Sequence, residues 1–162
     1  MEIRPPDTPQ EVERMVARYS DTVYRLALAQ MGNRPDAEDI FQEVFLRYIR
    51  KKPVFESEEH GKAWFLRVTV NCCKRFWSTP FRKRSVPLSD NLSVEMEEDW
   101  VKAEVNRLPK EYRAVLHLHY FEDLTAKQIG KLLNLRASSV RSRLTRARAM
   151  LRERMKGEYG NV

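Results

Sequence analysis

A chain of 162 residues that is 42% hydrophobic and 10% aromatic carries enough apolar mass to bury a core without covalent staples, which argues against an unfolded chain. Lys and Arg outnumber Asp and Glu by 30 to 23, for a net charge of +7, and no apolar run is long enough to cross a bilayer. An isoelectric point near 9.6 leaves nucleic acid, an anionic membrane surface or an acidic protein as partners.

The first ten residues, MEIRPPDTPQ, are polar and proline-rich and lack a signal-peptide pattern, so the expected location is the cytoplasm. A helix start follows, with Thr8 as N-cap, Pro9 in the first helical position and Glu11 completing a capping box. Val12, Met15, Val16, Tyr19, Val23, Leu26 and Ala27 recur on one face until Gly32. A second helix, DAEDIFQEVFLRYIRKK, stops at Pro53, and a third runs from about His60 to Ser78 on the stripe Trp64, Phe65, Val68, Cys72 and Phe76. Few glycines and abundant Leu, Ala, Arg, Lys and Glu agree with an all-α protein.

Helical periodicity disappears from Thr79 to about Met96, where Pro80 and Pro87 interrupt the chain and an acidic stretch begins at Asp90; the segment reads as a flexible linker. Four helices are expected beyond it: Trp100 to Arg107, Pro109 to Phe121, Thr125 to Leu133 and Ala137 to about Lys156. Cys72 and Cys73 are adjacent within a helical pattern and cannot frame a disulfide scaffold, so they read as small packing residues.

The charge is unevenly placed. From Arg136 to Lys156 there are eight basic residues against Glu153 alone, so this segment carries the whole +7 and the remainder is neutral. It follows a second capping box, Thr125 with Gln128, then inward Ile129 and Leu133, a Gly130 that permits close approach, and Asn134 suited to a left-handed turn. That is the layout of a helix-turn-helix whose second helix enters the major groove. Arg136, Ser138, Ser139, Arg141, Ser142, Thr145 and Arg146 are the residues suited to base edges and phosphates, since hydroxyls allow close approach and guanidinium forks pair with guanine or phosphate. No Trp, Phe or Tyr lies between Thr125 and Gly157 to seat this helix on a membrane.

In the N-terminal half, Asp36, Asp39 and Glu43 stand at spacings of three and four, where like charges repel by a few tenths of a kcal/mol. Such a row is suited to a basic partner. On the third helix, Asn71, Lys74, Arg75 and Trp77 lie off the apolar stripe and are suited to a nucleic-acid strand, which needs stacking surfaces and cations.

The ordered set DAEDIFQEVFLRYI, AWFLRVTVNCCKR and LPKEYRAVLHLHYFEDLTAKQIGKLLNLRASSVRSRLTRARAMLR resembles the extracytoplasmic-function (ECF) sigma factors of bacterial RNA polymerase, within the sigma-70 family. The resemblance implies a division into residues 1–78, a sigma domain 2-like bundle; 79–96, the linker; and 97–162, a sigma domain 4-like helix-turn-helix. It places Asp39, Gln42 and Glu43 at positions that dock on the clamp coiled coil of the β′ subunit of core polymerase, with the β subunit as a further partner. It assigns the stretch from about Phe55 to Lys62, with Asn71 and Lys74, to recognition and melting of the minus-ten element and capture of a flipped base. Arg141, Ser142 and Arg146 fall on the helix that reads the minus-thirty-five element, and an anti-sigma factor is implied as a regulator. The cysteine pair and Trp77 in NCCKRFW depart from the small or polar residues and the acid common in the family, and Ala137 and Ser138 stand where a Gly commonly precedes the reading helix.

Two other classes compete. A stand-alone helix-turn-helix regulator that dimerises through its N-terminal helices would bind palindromic sites without polymerase, and it needs no acidic docking row. A metal enzyme would use His117 and His119 with Glu122 or Asp123, but residues two apart on a helix point in roughly opposite directions. With no Gly-rich phosphate loop and no nucleophile signature, the expectation is a protein without catalysis and without a cofactor.

Overall fold

The computed structural model describes residues 8–78, 104–105 and 107–159. Among these residues the only regular structure is helical: α1 Pro9–Met31, α2 Arg34–Lys51, α3 Glu58–Ser78, α4 Lys110–Tyr120, α5 Ala126–Leu133 and α6 Ala137–Tyr159. The chain divides into two compact units, the first holding α1 to Leu28, α2 from Pro35 and all of α3, the second holding α4 to α6 together with Ala29–Arg34. The expected linker, 79–96, lies outside the described residues. Of the expected Trp100 to Arg107 helix, only Glu104, Val105 and Arg107 are described, and the first two are helical.

The first unit is a set of helices closed by an aromatic core. Thr8 accepts the Glu11 N–H at 3.2 Å and starts α1 as expected, and Gly32, at φ +82°, ends it in the left-handed conformation that glycine adopts most cheaply. Met15, Tyr19, Val23, Leu26 and Ala27 are buried, while Val12 and Val16 are half-buried. Phe65 of α3 is fully enclosed: its ring stacks on Tyr19 at 4.6 Å, meets Phe45 and Tyr48 at 5.3 Å each, and touches Trp64 and Phe55. Burying one such side chain contributes about 1.5–3 kcal/mol, with offset and edge contacts adding to it. The buried face of α3 is wider than the expected stripe, since Leu66, Thr69, Val70 and Cys73 are enclosed as well. Thr69 donates its hydroxyl to the Phe65 carbonyl at 2.6 Å, which satisfies that buried group.

Helix α3 begins at Glu58, two residues ahead of the expected His60, because Ser57 caps it by accepting the His60 N–H at 3.1 Å. Helix α2 ends where Lys52, at φ 47°, turns left-handed and donates its N–H to the Tyr48 carbonyl.

In the second unit, α5 and α6 form the expected tight turn. Thr125 accepts the Gln128 N–H at 3.1 Å while Gln128 accepts the Thr125 N–H at 2.9 Å, a complete capping box. Asn134 is left-handed at φ 59°, and the Leu135 N–H closes the turn on the Gly130 carbonyl at 2.8 Å. A Cβ on Gly130 would stand 2.5 Å from the Leu135 carbonyl oxygen, so only glycine admits this crossing. One inward residue differs from expectation: Leu132, not Leu133, is the buried leucine, and Leu133 is half-buried. The eight-residue α5 buries Ile129, Gly130 and Leu132, a face on which Ile129 and Leu132 stand three residues apart. Val140, Leu144 and Ala147 are buried on the inner face of α6.

Candidate polymerase and nucleic-acid interfaces

On α2, Asp39 and Gln42 are exposed and Glu43 is half-buried. Residues 39, 42 and 43 share one helix face at spacings of three and four. Their opposite face, with Ala37, Ile40, Val44 and Tyr48, is anchored in the core, which fixes the direction in which the acidic face looks. Glu43 is already partnered: its Oε1 accepts from Arg47 at 3.1 Å and from Arg75 of α3 at 3.3 Å.

On α3, Asn71, Lys74 and Arg75 are exposed and share a face. Arg67 is exposed as well and falls four residues before Asn71, on the same face; the sequence reading missed it, although helical spacing from Asn71 and Lys74 points to it. Trp77 is half-buried, set edge-on against Phe76 at 5.7 Å. Lys62 is half-buried and lies nine residues before Asn71, about 13 Å along the axis and on the far side of the helix. The structure therefore groups Asn71, Lys74 and Arg75 and separates Lys62 from them. Lys62 stands near the start of α3, and in the turn before that helix Phe55 is buried against Tyr48, Trp64 and Phe65.

The two cysteines lie on the inner side of α3. Burial pushes both thiols up, Cys73 furthest, with the neighbouring thiol and Glu43 adding to the effect at Cys73. Such thiols stay protonated and unreactive. Tyr48 is likewise pushed up to about 12 by burial, and Tyr19 is raised for the same reason.

On α6, Ser138, Arg141, Ser142, Thr145 and Arg146 are exposed and line one shallow open groove. Their spacing puts them on a single face opposite Val140, Leu144 and Ala147. Thr145 bonds back to the Arg141 carbonyl at 3.0 Å. Arg136 is exposed at the turn, where its carbonyl accepts the Val140 N–H, and Ser139 is half-buried at the edge of the face.

Two cations of the basic helix serve the fold. Arg148 donates to the Tyr120 hydroxyl at 2.6 Å and covers its ring at 5.5 Å. Arg154 donates at 2.7 Å to Glu104, a carboxylate 2% exposed that also accepts from Arg107 at 3.0 Å. A charge count along the sequence includes these two arginines with the rest; only the packing tells them apart. The histidines weighed as metal ligands are engaged separately: His117 stacks on Phe121 and faces Glu122 at 3.4 Å, whereas His119 Nδ1 lies 2.9 Å from the Leu124 carbonyl. Among the described residues there is no cluster of three or more His, Cys, Asp or Glu able to hold a metal, and no helix long and apolar enough to cross a membrane.

Comparison with known proteins gives these surfaces a family. Residues 15–82 match the Sigma-70 region 2 model, and residues 98–151 match the Sigma-70, region 4 model. The ECF RNA polymerase sigma factor SigE of Mycolicibacterium smegmatis is 31% identical, over 87% of this chain and 60% of that protein, so the chain spans well under the full length of that relative. The ECF RNA polymerase sigma factor SigW of Bacillus subtilis is 25% identical over 85% of each chain. Two solved structures share the fold. One is CnrH in complex with the cytosolic domain of CnrY, at a TM-score of 0.68 and 18% identity, covering 94% of this chain and 92% of that one. The other is the sigma factor RpoE in complex with the anti-sigma factor NepR from Bartonella quintana, at 0.69 and 20% identity, covering 92% and 99%. The two matched regions cover most of α1 to α3 and most of α4 to α6, and the chain belongs to the sigma-70 family of RNA polymerase sigma factors, in its ECF group.

Proposed function

We propose that this sigma factor directs core RNA polymerase to promoters with two boxes and favours strand separation at the downstream one, contributing binding rather than catalysis. The observation that carries the reading is the exposed face of α6, where Ser138, Arg141, Ser142, Thr145 and Arg146 line one groove on a helix fixed by a complete capping box and a glycine-only turn. Arginine forks and short hydroxyls on a rigid helix suit major-groove readout of the minus-thirty-five element, with Arg136 and Ser139 at its edge.

The acidic face of α2, with Asp39, Gln42 and Glu43, serves docking on the β′ clamp coiled coil; the β subunit is a further contact. Lys62, Asn71, Lys74, Arg75 and Trp77, with the turn from Phe55, serve the minus-ten element. Melting then needs no chemistry from this chain: groups that hold unpaired bases better than paired ones move the equilibrium toward the open duplex. The modules 1–78 and 97–162, joined by 79–96, each bind weakly, and polymerase makes the second contact effectively intramolecular. Location in the cytoplasm follows from that partner, and an anti-sigma factor is the regulator this reading expects.

The test is co-purification and transcription with purified core polymerase, comparing the native chain with the triple variant Asp39→Ala, Gln42→Ala, Glu43→Ala. The native chain forms a holoenzyme and starts transcripts from a two-box promoter, and the triple variant loses at least about tenfold in affinity, roughly 1.4 kcal/mol. Equal affinity of the two would remove the docking assignment.

A further inference from the structure

The turn between α2 and α3 is held by a reciprocal pair of hydrogen bonds of an unusual kind. Ser57 Oγ accepts the His60 N–H at 3.1 Å, and His60 returns the contact by accepting the Glu56 N–H on its Nδ1 at 3.0 Å. This is a capping box in which imidazole replaces the customary Glu or Gln, and the amide it satisfies lies one residue before the cap. The same ring meets Phe55 edge-on at 5.5 Å, and Phe55 is 1% exposed. Behind the turn there is no slack: a Cβ on Gly61 would stand 2.5 Å from the Tyr19 hydroxyl oxygen, and that hydroxyl donates to the Glu58 carbonyl at 3.3 Å.

Imidazole makes this cap conditional. Nδ1 accepts only when it carries no proton, so the bond selects the neutral ring protonated on Nε2; the imidazolium, a donor at both nitrogens, cannot accept. Glu or Gln in the same place would hold the turn across the range where histidine titrates.

We propose that His60 is a positioning residue for strand separation: its neutral ring locks the turn at Phe55 to Ser57, and protonating it releases that turn. This rests on the assignment of Phe55 to Lys62 to the minus-ten element. The charged residues nearest in the chain are Glu56 in the turn and Glu58, Glu59 and Lys62 on α3, and Arg18 of α1 is paired with Glu58 at 2.7 Å. Tyr19 of α1 and Tyr48 of α2 have phenols raised by burial and stay neutral throughout the histidine range. The sign follows from the acceptor role of Nδ1: the lock is present when the ring is neutral and is lost when lower pH puts a proton on that nitrogen.

The experiment uses the full chain as native protein, His60→Gln and His60→Ala. The first measurement is the Glu56 amide shift and the imidazole 15N shifts by NMR from pH 8 to 5.5. The native Glu56 amide moves with the ring's titration, that of His60→Gln stays flat, and that of His60→Ala sits at the released position throughout. The second is promoter opening by permanganate reactivity with core polymerase, in which the polymerase's own pH response is common to all three. Between pH 8 and 5.5 the opening rate of the native chain falls several-fold further than that of His60→Gln, each taken against its own value at pH 8, while His60→Ala lags at both. Parallel opening profiles for the native chain and His60→Gln would overturn the positioning role even if the Glu56 amide titrates. A Glu56 amide indifferent to both ring and pH would overturn the lock itself. Absence of opening in all three at every pH would instead remove the minus-ten assignment, and the positioning role with it, while the NMR result still decides whether the lock exists.

Discussion

Arg75 of α3 donates to Glu43 of α2 across 3.3 Å, joining a residue assigned to DNA with one assigned to polymerase. Glu43 also accepts from Arg47, so two cations share one half-buried carboxylate. Arg75 is well exposed, and a pair of this kind contributes about 0–1 kcal/mol to stability, less in high salt. Its consequence is for charge: Arg75 offsets part of the anionic face. Arg75→Ala is therefore expected to leave affinity for core polymerase unchanged or tighter while slowing promoter opening, whereas Glu43→Ala weakens docking about tenfold. Titration of labelled core polymerase with each variant checks this, and equal loss in both would mean that the bridge, not the carboxylate, forms the docking face.

Gly130 and Leu135 define the second unit's closest approach. Placing a Cβ 2.5 Å from the Leu135 carbonyl forces the α5–α6 turn open, because the opposing atom is backbone and cannot rotate away. Gly130→Ala is expected to cost about 2 kcal/mol, outweighing alanine's better helix propensity. Thermal unfolding followed by circular dichroism reads that loss, and binding of the upstream promoter box falls with it because α6 loses its fixed angle. Thr125→Ala, which removes half of the capping box, is expected to cost about 1 kcal/mol without moving α6.

Cys72 and Cys73 bear on alkaline stability. Their thiols are raised by burial in the folded chain, so the unfolded chain releases protons first as pH climbs above the usual thiol range of about 8.5. The unfolded state then binds fewer protons than the native one, and stability falls with rising pH. Each fully suppressed ionisation steepens that fall by about 1.4 kcal/mol per pH unit. Urea unfolding at pH 7, 9 and 10 measures the slope. Cys73→Ala flattens it while lowering stability at pH 7 through the small cavity it leaves, and in the native protein at pH 8 both thiols react with a disulfide reagent only after unfolding.

The features legible in the sequence were those written in local chemistry. Thr125 with Gln128, Gly130 and Asn134 announce their turn because each satisfies a backbone requirement within a few residues, and all appear in the structure where expected. The early start of α3 was also written locally, in Ser57, but with His60 at the place where Glu or Gln is usual. Contacts between distant residues left no such trace. Phe65 at the centre of the aromatic core, Arg75 on Glu43, and Glu104 between Arg107 and Arg154 depend on how helices pack, which periodicity along one helix does not encode. Leu132 and Leu133 are neighbours of equal hydropathy, and only the packing of a short helix decides which is buried.

Arg148 sharpens the distinction between cations proposed to face DNA and cations that hold the fold. Its guanidinium is bonded to the Tyr120 hydroxyl and lies over that ring, while Arg141 and Arg146 stand exposed in the groove they line with Ser138, Ser142 and Thr145. A cation that neutralises a phosphate releases counterions, so removing it lowers the slope of log affinity against log salt by about 1. Arg141→Ala and Arg146→Ala are each expected to lower the slope for holoenzyme on an upstream-box duplex by about that amount. If either arginine reads guanine, its variant also tolerates a base change at that position better than the native chain does. Arg148→Ala is expected to leave the slope unchanged but to lower stability by about 1 kcal/mol, a sum of one hydrogen bond and one exposed cation–π contact, which moves the midpoint of a unit this size by several degrees. Tyr120→Phe separates the two parts, keeping the ring and losing the bond, so it falls between native and Arg148→Ala in a melting series. A salt slope that drops for Arg148→Ala as far as for Arg146→Ala would show that Arg148 leaves Tyr120 for the phosphate backbone when DNA is bound.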